Sequence, residues 1–214
     1  MKSIVIGAHL RRDDVHPVAD AIPVGDLVLS AVGVPDDQPI GDRDLLLRVA
    51  ATRARLLEAA TFIAIRYGFT AASAEDALAK CAAHLPRWKR VLESNRENVE
   101  MTLKVAASSP VPRPDRRDFT SGADYLRSLY AVNQAANVEP AFRAAVEREL
   151  VPLAVRSRWQ HRDERSAELA LLVPRRRLGE ALTAGEILRE ECPAVPFLLS
   201  GPWPLEVFAD DDHE

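Results

Sequence analysis

Apolar and polar positions divide the chain into short runs that switch between a two-residue and a helical repeat. Ile4-Val5-Ile6 is an apolar run of buried-strand character, and residues 25–32 read as a second strand, stopped by the turn formers of residues 33–39. Asp42 is placed to cap a helix on which Leu45, Leu46, Val49, Leu56 and Leu57 share a stripe, with Arg43, Arg48, Arg53 and Arg55 mostly off it. Residues 62–67 form a short strand-prone run closed by Gly68. Ser73 and Asp76 have capping-box spacing, and Leu78, Cys81, Leu85, Trp88 and Leu92 then recur at intervals of three and four. Pro86 falls inside that stripe and predicts a kink or a split. Cys81 on the same face reads as a small core residue.

The second half has its own order. Val99, Met101, Leu103 and Val105 alternate with polar residues as a half-buried strand, and the proline- and arginine-rich residues 108–118 read as a surface connection. Thr120 or Ser121 caps a helix carrying Tyr125, Leu129 and Val132, which bends or resumes at Pro140 with Phe142, Val146 and Leu150. Leu153, Val155, Ser157 and Trp159 alternate with Arg156 and Arg158 as a strand, residues 160–166 make a turn, and Leu169, Leu171 and Val173 form the next strand. Leu178, Leu182, Ile187 and Leu188 lie on a helix weakened by Gly185, and Phe197-Leu198-Leu199 is a last strand. From residue 97 the order is strand, helix, strand, strand, helix, strand, the ferredoxin-like βαββαβ arrangement. The expectation is an α+β protein of two domains: an N-terminal α+β domain, 1–96, and a C-terminal ferredoxin-like domain, 97–214.

Length and composition narrow the function classes. The chain has 214 residues, 47% hydrophobic and 28% charged, which is globular composition. A net charge of −4 argues against a dedicated nucleic-acid binder. The apolar start is too short for a secretory core, and no apolar run reaches the ~18 residues of a membrane span. Cys81 and Cys192, alone and far apart, suit a reducing cytosol.

Enzyme chemistry finds no foothold in the motifs. His9, His16, His84, His161 and His213 lack partners at ligand spacing, so no metal site and no cofactor are expected. No nucleophile elbow, phosphate loop or dinucleotide fingerprint occurs. RNA binding would use the same element order but needs aromatic rings on the open sheet face. That face would instead show Glu100, Thr102, Lys104, Glu168, Ala170 and Leu172, with Arg156 and Arg158 beside them. A ferredoxin-like ligand-binding or regulatory module stands as the alternative class, and an enzyme with an unrecognised site as a third.

The closing segment is more specific. Gly201 permits backbone angles denied to other residues, while Pro202 and Pro204 fix φ and remove two amide donors. The stretch is expected to leave the sheet on a fixed path with the ring of Trp203. Trp203 then either fills a gap between domains or anchors a partner protein, since tryptophan is favoured at interface hot spots.

Four segments together resemble the gas-vesicle GvpL/GvpF family: Ile65-Arg66-Tyr67-Gly68, residues 99–105, Ser121-Gly122-Ala123-Asp124-Tyr125-Leu126, and residues 197–204 ending in Gly201-Pro202-Trp203-Pro204. The departures are Ala64 and Tyr67, where the family has Pro and Phe, and residues 205–208, where its Pro-Tyr-Ser-Phe becomes Leu205-Glu206-Val207-Phe208. The resemblance implies a non-enzymatic structural or assembly protein of gas vesicles, cytoplasmic and vesicle-associated. Its implied partners are the hydrophobic shell protein and other vesicle accessory proteins. Arg66, Tyr67, Gly68, Gly201, Pro202, Trp203, Pro204 and Phe208 are the expected partner-binding positions.

Overall fold

The computed structural model describes residues 2–11, 13, 20–106, 114–134, 138–163 and 166–209. The chain divides into two compact units, Met1–Val99 with Trp203–Glu214, and Glu100–Pro202. The first break lies within three residues of the expected 96/97 boundary. Trp203 onward groups with the first unit rather than the second.

The first unit contains β1 (Lys2–Leu10), β2 (Asp20–Val24), β3 (Leu27–Val34), α1 (Arg43–Ala59), β4 (Phe62–Ala64), β5 (Thr70–Ala71), α2 (Ala74–Cys81) and α3 (Leu85–Ser94). Its antiparallel sheet runs β2-β3-β1-β4, with β5 also paired to β1. Strand β1 is central and buried from Ile4 to Leu10, as a strand covered on both faces must be. Its two faces feed different cores. Ile4 and Ile6 meet Val32, Val34, Leu45 and Val49, so α1 covers that side. Val5 and Ala8 meet Leu29, Ile65, Ala71, Ala77 and Cys81 on the other. A register shift between Val5 and Gly7 lets Ala8 share the face of Val5 across an odd separation.

The capping signals act as read. Asp42 accepts from Leu45 N at 3.0 Å, and Ser73 accepts from Asp76 N at 3.2 Å. The Asp76 carboxylate turns back to Ala72 N at 2.9 Å, one residue before the position a capping box requires. Pro86 splits the long stripe into α2 and α3 and sits in the first turn of α3, where its missing amide hydrogen is not needed. Strand β2 was not expected. It forms a hairpin with β3 through the two-residue loop Gly25-Asp26, the position-one glycine that such loops favour.

The second sheet is built from β6 (Asn98–Ala106), β7 (Arg156–Asp163), β8 (Ser166–Pro174) and β9 (Phe197–Trp203), in the order β7-β8-β6-β9. Three helices accompany it: α4 (Gly122–Gln134), α5 (Pro140–Glu149) and α6 (Leu178–Glu191). Ser121 caps α4, and the Glu139 carboxylate caps α5 from Ala141 N and Phe142 N. One core joins Met101, Leu103, Val105, Phe142, Val146, Leu169, Leu171, Val173 and Leu188. Most of the expected 108–118 connection, and the Val132 side chain, lie outside the described residues.

Four expectations change here. Residues 151–153 form a 3-10 turn, and β7 runs through the expected 160–166 turn as far as Asp163. The expected open face is closed at Glu100, Glu168, Ala170 and Leu172, which are all buried. Helix α6 buries Ala181, Ala184, Gly185 and Leu188 and turns Leu182 and Ile187 outward. Its small face is needed because a Cβ on Gly185 would lie 2.7 Å from Leu199 Cδ2. Finally, the Gly201-Pro202 stretch stays in β9 as far as Trp203. The sheet tolerates it because β9 is an edge strand, where proline removes no required ladder bond.

Candidate functional site

The Arg66–Gly68 element is a tight turn. Phe69 N donates to Arg66 O at 3.3 Å, and Gly68, the third residue, has φ +88°. That is the position at which a type II turn requires a left-handed residue, so glycine here is dictated by backbone geometry. Two further bonds fix the turn against β1: Val5 N to Phe69 O at 2.9 Å and Ile65 N to Ile6 O at 3.2 Å. The Tyr67 ring packs on the cluster of Ile4, Ile6, Val32, Val34, Leu45 and Val49, and its hydroxyl donates to Ile40 O. Tyr67 therefore ties the loop before α1 to the turn after β4. Arg66 is exposed.

The closing segment meets the same region. Leu205 forms a parallel bridge with Ile63: Leu205 N donates to Phe62 O at 2.9 Å, and Ala64 N donates to Leu205 O at 3.2 Å. Leu205, Phe208 and Ala209 are buried. Arg87 Nη2 donates to Ala209 O at 2.7 Å, and Arg53 donates to Ile65 O. Burial pulls the Arg53 guanidinium below its usual pKa, and the Glu206 charge opposes that shift. The segment from Leu205 is thus an added piece of the first sheet beside β4. A proline at position 205, as in the family pattern, would have no N–H to give Phe62.

Trp203, Pro204 and Phe208 are consequently placed in the same unit as Arg66, Tyr67 and Gly68, while Gly201 and Pro202 end the second. Gly201 has φ +134°, and a Cβ there would lie 3.0 Å from Glu100 O. Pro202 is exposed and Pro204 half-buried. The decisive contrast lies within six residues: Phe208 is 2% exposed and Trp203 48% exposed. Phe208 is a packing residue, and Trp203 offers a large part of its ring to solvent. Arg53, Arg87 and Leu205 have no site role legible in the sequence, because their bonds to distant main-chain groups leave no local signature.

Other chemistry is sparse. Among the described residues no three His, Cys, Asp or Glu side chains gather as a metal site, and no helix is long and apolar enough to cross a membrane. A depression of about 390 Å³ is lined by Leu10, Arg11, Asp26 and Glu93. Its acids are engaged by Lys89, which bonds Asp26 and lies 4.0 Å from Glu93. Cys81 is buried, and burial pushes its thiol pKa up, the opposite of what a reactive thiolate needs.

The fold and these contacts define a two-unit α+β protein whose closing segment, after the exposed Trp203, docks on the first sheet. The sequence matches the family model described as gas vesicle synthesis protein GvpL/GvpF over residues 14–209, and the chain belongs to that family. Its fold is similar to the crystal structure of the gas vesicle protein GvpF from Anabaena sp. PCC7120. That match has a TM-score of 0.71 at 12% identity and covers 99% of this chain and 97% of that one. GvpF from Microcystis aeruginosa is also similar, with a TM-score of 0.67 at 10% identity over 98% and 99% of the two chains. No curated protein sequence matches significantly.

Proposed function

We propose that this protein is a non-enzymatic adaptor in gas vesicle assembly that binds the hydrophobic shell subunit or other vesicle accessory proteins. Trp203 and the Arg66–Gly68 turn form part of its contact surface. The reading places it in the cytoplasm and at the vesicle. It also takes the second unit as a ferredoxin-like domain, since its strand order β9-β6-β8-β7 and its helix placement follow that pattern.

The observation that carries the functional reading is the family match over residues 14–209. The local chain suits the task. Pro202 and Pro204 flank the tryptophan and restrict φ on either side of it. A pre-organised aromatic loses little conformational freedom on binding, which favours affinity per contact. A strongly apolar shell subunit benefits from such a partner, because before polymerisation its own apolar surface would otherwise face water.

The test is a dilution experiment. Shell protein is diluted from denaturant into buffer with and without the purified full chain, and aggregation is followed by light scattering. The reading expects suppression at stoichiometric ratios and a co-eluting complex. Unchanged scattering, with no complex to the shell subunit or to any vesicle accessory protein tested in the same way, would contradict it.

A further inference from the structure

Helix α1 carries an apolar line on the side away from its core. It buries Leu45, Val49, Thr52 and Leu56. On the opposite side lie Arg43, Leu47, Ala50, Ala51, Ala54 and Glu58, all exposed, at three- and four-residue steps on either side of the adjacent pair Ala50-Ala51. Leu47 is 58% exposed and Leu46 beside it 42%, unusual for two consecutive leucines on a surface helix. The line spans about 22 Å at the helical rise of ~1.5 Å per residue.

This line is symmetric about the midpoint between Ala50 and Ala51. Arg43 and Glu58 lie equally far from that midpoint on either side, and so do Leu47 and Ala54. We propose that α1 is the interface between two copies of this chain, packed antiparallel about a two-fold axis passing between Ala50 and Ala51. In that arrangement each residue of the line faces its mirror position in the partner copy. Arg43 meets Glu58 at both ends, Leu47 fills the space above Ala54, and the central alanines let the backbones approach closely.

The charges select both the occupant and the direction. Neither Arg43 nor Glu58 has an ion-pair partner among the described residues. The other cations of the helix are engaged elsewhere in part: Arg48 donates to Gly33 O at 3.0 Å and Arg53 to Ile65 O. A parallel pairing would set Arg43 against Arg43 and Glu58 against Glu58. A lipid surface would not accept Glu58 at the crest of the apolar line. A single helix pair falls at the low end of stable interface sizes, so the dimer is reversible and concentration-dependent.

Sedimentation velocity on the full chain, from about 1 µM to about 500 µM, reads this directly. A monomer–dimer equilibrium is expected. Arg43→Glu and Glu58→Arg singly place like charges at both symmetric ends and should weaken the dimer at least about tenfold. The double exchange should return it to within about threefold of the parent. Both exchanges agree with the helix dipole, so neither frays the helix, and Leu47→Glu on the exposed face gives a second disruption that spares the core. A chain that stays monomeric throughout, or a dimer indifferent to the single reversals or unrescued by the double, overturns the assignment.

Discussion

His9 shows what one buried titratable side chain does to the whole fold. It sits 4% exposed in the central strand, bonded through Nδ1 to Leu10 O at 3.0 Å. Burial holds its pKa below the usual 6.5, with the Leu10 carbonyl and Asp13 pulling the other way. The unfolded chain therefore takes up a proton at a pH where the folded chain does not. Stability is complete above about pH 6.5 and declines on acidification through the window below it. Thermal midpoints measured from about pH 7.5 to about pH 5.5 should fall, and His9→Gln should flatten that slope. The Asp42 carboxyl pKa is lowered for the opposite cause, since the Leu45 amide and Gln38 favour its charged form, yet the sign is the same: its contribution is lost on acidification below the usual 3.8. At Gly68, alanine would have to occupy φ +88°, and Gly68→Ala should cost about 1–3 kcal/mol in chemical unfolding.

At the scale of elements, the sequence spoke clearly where a signal was local. Asp42, Ser73 and Ser121 marked helix starts, and Pro86 marked the break between α2 and α3, because caps and prolines act within one turn of chain. It spoke less clearly where the outcome depended on what lay opposite. Strand β2 carries Pro23 and one apolar face, so it resembles loop until β3 pairs with it. Residues 169–173 are continuously apolar, the mark of a strand covered on both faces, yet an alternating reading left Ala170 and Leu172 in solvent. In α6 the larger side chains Leu182 and Ile187 lost the core to Ala181, Ala184 and Gly185, because Leu199 comes too close to admit bulk. The closing segment belongs to the same class: its attachment through Leu205 is a distant pairing. Phe208→Ala should therefore cost roughly 3–5 kcal/mol by urea unfolding, as a buried aromatic does. A loss under about 1 kcal/mol would show that the segment is not part of the first unit's core.

On the scale of the whole molecule, the first unit is discontinuous in sequence, closed by residues that follow the second. The ordering of motifs along the chain carried the family relation, which the match over residues 14–209 establishes. It did not separate packing from contact at the motif positions. Tyr67, Gly68 and Phe208 are held by the fold itself, and Arg66, Pro202 and Trp203 are the members that reach solvent. The account rests on that division, and a paired measurement on Trp203→Ala tests it most directly: the thermal midpoint, and the dissociation constant for the vesicle shell protein by titration. The midpoint should fall by no more than about 4 °C while binding weakens at least about tenfold. Parent-like affinity in a folded Trp203→Ala chain, or unfolding in place of lost affinity, would contradict it.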